Sequence, residues 1–214
     1  MNPTTTGRFR VLDRRPDGRL LLVDLAAAVA AVDGDHEADL QPLAVDPPTG
    51  DDELAETIRE LKPGYVVEAS LAWDESDAEF VDCRIDERSW IQYADGVSGL
   101  FEVAQETWYD AQTAGEAMNS RTTYSTGNEP NGVVYTFAKQ RPPRDLFEEF
   151  RTGATPIEPL IQRVEAERDD EEDRAVFVMN PVDEEFVLIY IVFRKDGMLA
   201  QTVRDTYGLP SLEA

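Results

Sequence analysis

The chain holds one cysteine, Cys83, and one histidine, His36, among 214 residues. A Ser-His-Asp triad, a Cys-His pair or a His-based metal site would have to use these single residues, and no thiolate cluster can form. Cys83 alternates with Val81 and Ile85 on one expected strand face, between Asp82 and Asp86. That is the setting of a buried, inert thiol, because a nucleophilic thiolate needs electropositive, partly exposed surroundings. His36 lies in Asp35-His36-Glu37 within a loop-like stretch and reads as an exposed loop residue. The carboxylate runs Asp51-Asp52-Glu53 and Asp74-Glu75-Ser76-Asp77 have the chemistry of metal ligands or of an acid/base pair. They fall at a helix start and a hairpin turn, where helix dipole and turn geometry favour acids without any further role. The acidic run from Glu165 to Asp173 lacks the central Gly of a calcium loop and reads as a solvated helix end. No metal, no cofactor and no catalytic residue is expected.

What remains is a place where acid is missing. The formal charge is −24, with 44 Asp and Glu against 20 Lys and Arg. From Asn119 to Arg144, however, Glu129 is the one carboxylate, against Arg121, Lys139, Arg141 and Arg144. Asn119, Arg121, Thr123, Tyr124 and Tyr135 place neutral donors and aromatic rings beside a guanidinium, a chemistry suited to phosphate, sugar or base edges. A second basic island at the N-terminus carries Arg8, Arg10, Arg14 and Arg15 against Asp13. Arg8, Arg10, Asn119, Arg121, Thr123, Tyr124, Tyr135, Lys139, Arg141 and Arg144 are the candidate ligand-binding residues. The competing explanation is that Thr and Tyr favour strands, and that acid is excluded because the hairpin is covered by helices or by a partner subunit.

Self-repulsion of this size destabilises a compact state unless ions screen it. Lysine occurs only at 62, 139 and 195, and the acid is spread through every segment. The pattern reads as adaptation to molar salt, so bulk acidity says little about partners and local departures from it say more. No apolar run approaches the ~20 residues that span a bilayer, and the N-terminus lacks a signal-peptide core, so no membrane partner and a cytoplasmic location are expected.

Elements must position these groups. Residues 8–14 and 19–25 read as a hairpin turning at Arg15-Pro16-Asp17-Gly18, with Phe9 and Val11 on one face and Arg8 and Arg10 on the other. Residues 26–51 are ambiguous: Ala26 to Val32 leaves strand and helix open, and Asp33-Gly34-Asp35 and Pro47-Pro48-Thr49-Gly50 read as loop. Leu54, Ile58 and Leu61 predict a helix over 52–61, stopped by Pro63-Gly64. Tyr65 to Trp73 alternates as a strand, a second follows with Val81, Cys83 and Ile85 sharing a face, and 90–93 supplies a third. Leu100, Ala104, Trp108, Ala111, Gly115 and Met118 predict a helix over 98–118 with Ser98 as N-cap. A second hairpin has arms at 120–126 and 133–139 around Gly127–Gly132. A helix over 145–152 follows, then Thr155-Pro156-Ile157-Glu158 as a capping box with Pro at N1. Strands at 174–180 and 185–194 come next, the second apolar throughout and so covered on both faces. A helix over 198–207 stops at Gly208. The class is α+β, mostly antiparallel, with about four to five helices, divided as a β-rich unit over 1–95 and an α+β unit over 96–214, with packing of the two as one compact domain left open.

Leu61-Lys62-Pro63-Gly64-Tyr65-Val66-Val67 resembles the lead-in to a strand of small OB-like or TRAM-like barrels. Together with Leu71-Ala72-Trp73-Asp74, Gly99-Leu100-Phe101-Glu102, Met118-Asn119-Ser120-Arg121, Asp145 to Phe150 and Arg204-Asp205-Thr206-Tyr207, the chain from about residue 8 to 208 resembles an uncharacterised haloarchaeal family of unknown function. The resemblance implies haloarchaeal origin and carries no site residue. The expectation is a non-enzymatic binding module whose acid-poor surface around 119–144 meets RNA, another phosphate-bearing ligand, a protein partner or a second copy. Two alternatives stay open: a metal-independent enzyme with Arg121 as an anion clamp, and a structural or assembly component.

Overall fold

A computed structural model describes residues 3–32, 41–49, 53–75, 77–140 and 144–211. The chain divides into two compact units, Met1–Trp90 with Glu149–Glu167, and Ile91–Glu148 with Arg168–Ala214. The first is a ring of five strands: β1 (Thr4–Arg14), β2 (Leu20–Asp24), β3 (Leu43–Asp46), β4 (Val66–Asp74) and β5 (Asp77–Glu87), in the order β1-β2-β3-β5-β4. β1 pairs antiparallel with β2 and β4, and the ring closes through a parallel contact of β3 with β5. That closure pairs only Val45 with Ala78 and Asp46 with Glu79, so the barrel is not evenly round. With α2 (Glu53–Glu60) between β3 and β4, this is the OB-like arrangement. Alternation along the strands turns Phe9, Val11, Leu20, Leu22, Val67 and Leu71 inward, all fully buried, and α2 adds Ile58 to the same core. Around the ring lie α1 (Leu25–Val32) and α5 (Glu158–Ala166).

The second unit is built on a five-stranded sheet of β6 (Trp90–Val97), β7 (Met118–Tyr124), β8 (Pro130–Ala138), β9 (Ala175–Pro181) and β10 (Phe186–Val192), in the order β6-β9-β10-β8-β7. The central β10 is buried along its whole length, as its unbroken apolar sequence requires. Phe186, Leu188, Tyr190 and Val192 form one core with Ala104, Trp108 and Ala111 of α3 (Glu102–Ala114) and with Ala200 and Val203 of α6 (Met198–Tyr207). The remaining described helix is α4 (Leu146–Thr152), along which the chain passes from the second unit to the first. Among the described residues, no helix is long and apolar enough to cross a membrane.

Four local expectations are corrected. Val81 does not share a face with Cys83 but is 56 % exposed, because a register shift between Ser70 and Leu71 pairs Phe80 and Asp82 with β4 and leaves Val81 over as the bulged residue. The strand at 90–97 joins the second sheet, while the barrel takes its remaining strand, β3, from the stretch that sequence left ambiguous. The long helix is shorter at both ends: it starts after Phe101 with no side-chain cap, and Gly115 ends it in the left-handed region at φ 72°. Met118 therefore leaves the apolar stripe and becomes an exposed strand residue. The capping box does not form either. Thr155 donates to Glu149 Oε2 at 2.7 Å, and Glu158 turns instead to Arg10.

Candidate anion-binding site

The acid-poor span maps onto β7, β8 and the start of the connection to α4. Pairing of Arg121 with Val134 and Thr123 with Gly132 puts the odd-numbered residues of β7 on the α3 side of the sheet. Arg121 accordingly lies against α3, its Nη1 2.6 Å from Glu106 Oε2 and its Nη2 2.6 Å from Asp110 Oδ2. Asn119 donates Nδ2 to the carbonyl of Thr107 at 3.1 Å. Thr123 accepts from Tyr190 OH at 3.0 Å and donates to Asn131 Oδ1 at 2.8 Å. Gly132 makes that network possible, since a Cβ there would stand 2.8 Å from the Tyr190 ring. Tyr135 is 2 % exposed and Tyr124 is 57 % exposed. The two rings thus differ in access: one is packed away, the other presents a free surface.

Lys139 and Arg144 come together. The ladder of β8 with β10 continues as Lys139 N–H to Glu185 O at 2.8 Å, which carries the lysine to the β9–β10 turn, where its Nζ donates to the Pro181 carbonyl. Lys139, Gln140, Arg144 and Asn180 line one cleft of about 390 Å³, with Asp145 as the acid in its wall and Leu146 and Val187 as its apolar part. Arg144 Nη1 donates to Gln140 Oε1 at 3.3 Å, and Asn180 donates Nδ2 to Asp95 Oδ1 at 2.8 Å. Burial pulls the Lys139 amine below its ordinary value, against the attraction of Asp95, Asp145, Asp183 and Glu184. Arg141 lies outside the described residues. Sequence reasoning missed Gln140 and Asn180; the signal was present only as an Asn before the Pro181 turn, with nothing to bring it to residue 139.

The N-terminal island belongs to the barrel unit. Arg8 is half exposed and bridges Asp86 and Glu87 at 2.6 and 2.7 Å. Arg10 is buried, with Nε 2.7 Å and Nη2 3.3 Å from the Glu158 oxygens and Nη1 3.0 Å from the Gly64 carbonyl. Burial alone would lower its pKa, but Glu158, with Glu87 and Glu165 adding to it, outweighs that and holds the guanidinium above its ordinary value. Arg14 donates to the carbonyl of Ile58 at 2.7 Å. OB-like barrels take oligonucleotides on the strand 2–3 face. Here the outward Val23 of β2 and Leu12 of β1 form a tight site with Gly153, Pro156 and Ile157 of the barrel unit's own returning segment.

Cys83 is buried, and desolvation with the nearby Asp82 charge pushes its thiol up to about 12, the inert state expected. His36 and the Asp51-Asp52 pair lie outside the described residues. Among the described residues no three His, Cys, Asp or Glu side chains are grouped to hold a metal ion.

A family model matches residues 1–212. The chain belongs to DUF6663, a family of unknown function. No curated protein and no solved structure shows significant similarity. Membership in DUF6663 brings no residue role with it, so the reading of function rests on the geometry of this chain.

Proposed function

We propose that the chain is a non-enzymatic binding module that takes a phosphate-bearing ligand in the cleft where β8 leaves the sheet. One observation carries the reading: Lys139 and Arg144 converge on one cleft with the carboxamides of Gln140 and Asn180, while Arg121 lies elsewhere, against Glu106 and Asp110 of α3. An ammonium, a guanidinium and the amide donors of Gln140 and Asn180 match the acceptor oxygens of a phosphate. The lining is rich in donors, and its two groups with nucleophilic chemistry are engaged within the fold, Lys139 Nζ at the Pro181 carbonyl and Asp145 Oδ1 at the Glu148 N–H, which favours binding over turnover. Arg121 supports the enzymatic alternative less, because Glu106 and Asp110 already use its two-pronged face.

Calorimetric titration with inorganic pyrophosphate, a nucleoside monophosphate and a short single-stranded RNA, each in low and in molar KCl, tests this. Lys139→Ala and Arg144→Ala should each weaken binding about tenfold or more, the loss of one charge-assisted contact, and Arg121→Ala should leave it unchanged. Saturation by the small phosphates alone would identify a small-molecule site. A preference for RNA, with a steep fall in affinity as salt rises, would identify the polymer. Absence of heat with all three ligands, or equal binding by Lys139→Ala, would overturn the proposal.

A further inference from the structure

The two edges of the second sheet are unlike. β6 carries Asp95 and a left-handed Gly96 at φ 69°, features that interrupt pairing with another chain. β7, Met-Asn-Ser-Arg-Thr-Thr-Tyr, has no acid, no Pro and no Gly. Among the described residues β8 is its one strand partner. Ala138 N–H bonds Ala117 O, and Ser125 N–H bonds Glu129 O, both at 2.8 Å. The odd-numbered residues therefore bond inward, and Met118, Ser120, Thr122 and Tyr124 present their backbone groups outward. Ser120 N–H is covered locally by Asn119 Oδ1 at 2.8 Å, so pairing there would rest on its carbonyl and on the Thr122 donors. The one charged side chain of the strand does not guard the edge, because Glu106 and Asp110 draw Arg121 onto α3.

We infer that β7 pairs antiparallel with β7 of a second copy of this chain, in the register centred on Arg121. That register follows from the strand's own side chains. It sets Met118, 41 % exposed, opposite the partner copy's Tyr124, 57 % exposed, and Ser120 opposite Thr122. Sulfur–aromatic and hydroxyl–hydroxyl cross-strand pairs are favourable, and all four positions lie on the sheet face away from α3. Charge points to the same occupant. Two chains of −24 repel over most of their surface, and β7 is a stretch where contact opposes no carboxylate to a carboxylate; the two Arg121 that face each other in this register are each neutralised by Glu106 and Asp110 of their own copy. The approach of two α3 helices, each with Glu106 and Asp110, is tempered by the Arg121 that each pair holds, so salt should promote the dimer. The edge shares no residue with the Lys139–Arg144 cleft, and the pairing stands or falls independently of it.

Sedimentation or light scattering of the full chain from low to molar KCl reads this directly, with a doubled mass expected as salt rises. Thr122→Pro removes an outward donor while leaving the β7–β8 ladder intact, and should return the mass to the monomer. Tyr124→Glu places a carboxylate on the edge at an exposed position and should do the same if the proline variant fails to fold. Arg121→Cys should form a disulfide-linked dimer on oxidation in molar KCl, where salt replaces the screening that Arg121 gives Glu106 and Asp110, because in this register residue 121 faces itself in a closely spaced pair; Glu129→Cys in the turn should not. A monomer at every salt concentration, a dimer that survives both edge variants, or no cross-link at 121 would each overturn the inference.

Discussion

The sharpest test of the barrel unit is Glu158→Gln. The side chains of Arg10 and Glu158 are 4 % and 3 % exposed, and the pair is bidentate. Gln162 adds a donor to Glu158 Oε1 at 2.8 Å. Removing the negative charge keeps the volume and leaves the Arg10 guanidinium buried without its counter-charge. Breaking a buried pair from one side costs about 3–5 kcal/mol. Glu87 and Glu165 also attract Arg10, so the lower end, ~3 kcal/mol, is expected here. At ~2–4 °C per kcal/mol for a chain of this size, the midpoint should fall by about 6–12 °C. Urea is the denaturant to use, because guanidinium would also screen the acidic surface. Unfolding should be followed separately through tryptophan in each unit, Trp73 in the first and Trp108 in the second, using single-tryptophan variants. Arg10→Met with Glu158→Leu should recover most of the loss, since apolar replacement of a whole buried pair is often neutral or stabilising. A Glu158→Gln variant within ~0.5 kcal/mol of the parent, the range of an ordinary surface change, would refute the reasoning. So would a double variant no better than the single one.

Gly153→Ala should cost about 2–4 kcal/mol and lower the barrel unit's urea midpoint, because φ is +78° and a Cβ would stand 2.3 Å from Pro42 and 2.7 Å from Leu12. Cys83 should resist iodoacetamide at pH 8 in the native protein and react on unfolding, as mass spectrometry would show; fast native labelling would contradict a thiol held near 12. The sign follows from linkage: the folded state favours the neutral thiol, so this contribution to stability is full below the unfolded thiol's pKa, near ~8.5, and is lost as pH rises toward 12. Raising KCl from low to molar should increase the thermal midpoint, since a net charge of −24 repels itself and the ions screen it; a flat response would count against the surface-repulsion argument.

Local pattern determined a good deal by itself. Alternation identified β4, the apolar run of β10 required cover on both faces, and Gly208 stopped α6 in the left-handed region at φ 63°. The same local chemistry marked Cys83 as inert. Such features follow from residues within one or two turns or strands of each other, where spacing alone decides which face is apolar. What failed was non-local. A capping box was legible at 155–158, yet Glu158 is taken by an arginine 148 residues away. A bulge set by pairing with β4 turned Val81 outward, and β3 is a strand chiefly because β2 and β5 accept it. The acid-poor span was visible as a count of charges, but the count could not tell its cations apart. Only the tertiary structure separated Arg121, closed by carboxylates of α3, from Lys139 and Arg144, which meet Asn180 in one cleft. The physical reason is that a charge's chemistry depends on what surrounds it in space, and those neighbours come from chain segments that no local window contains.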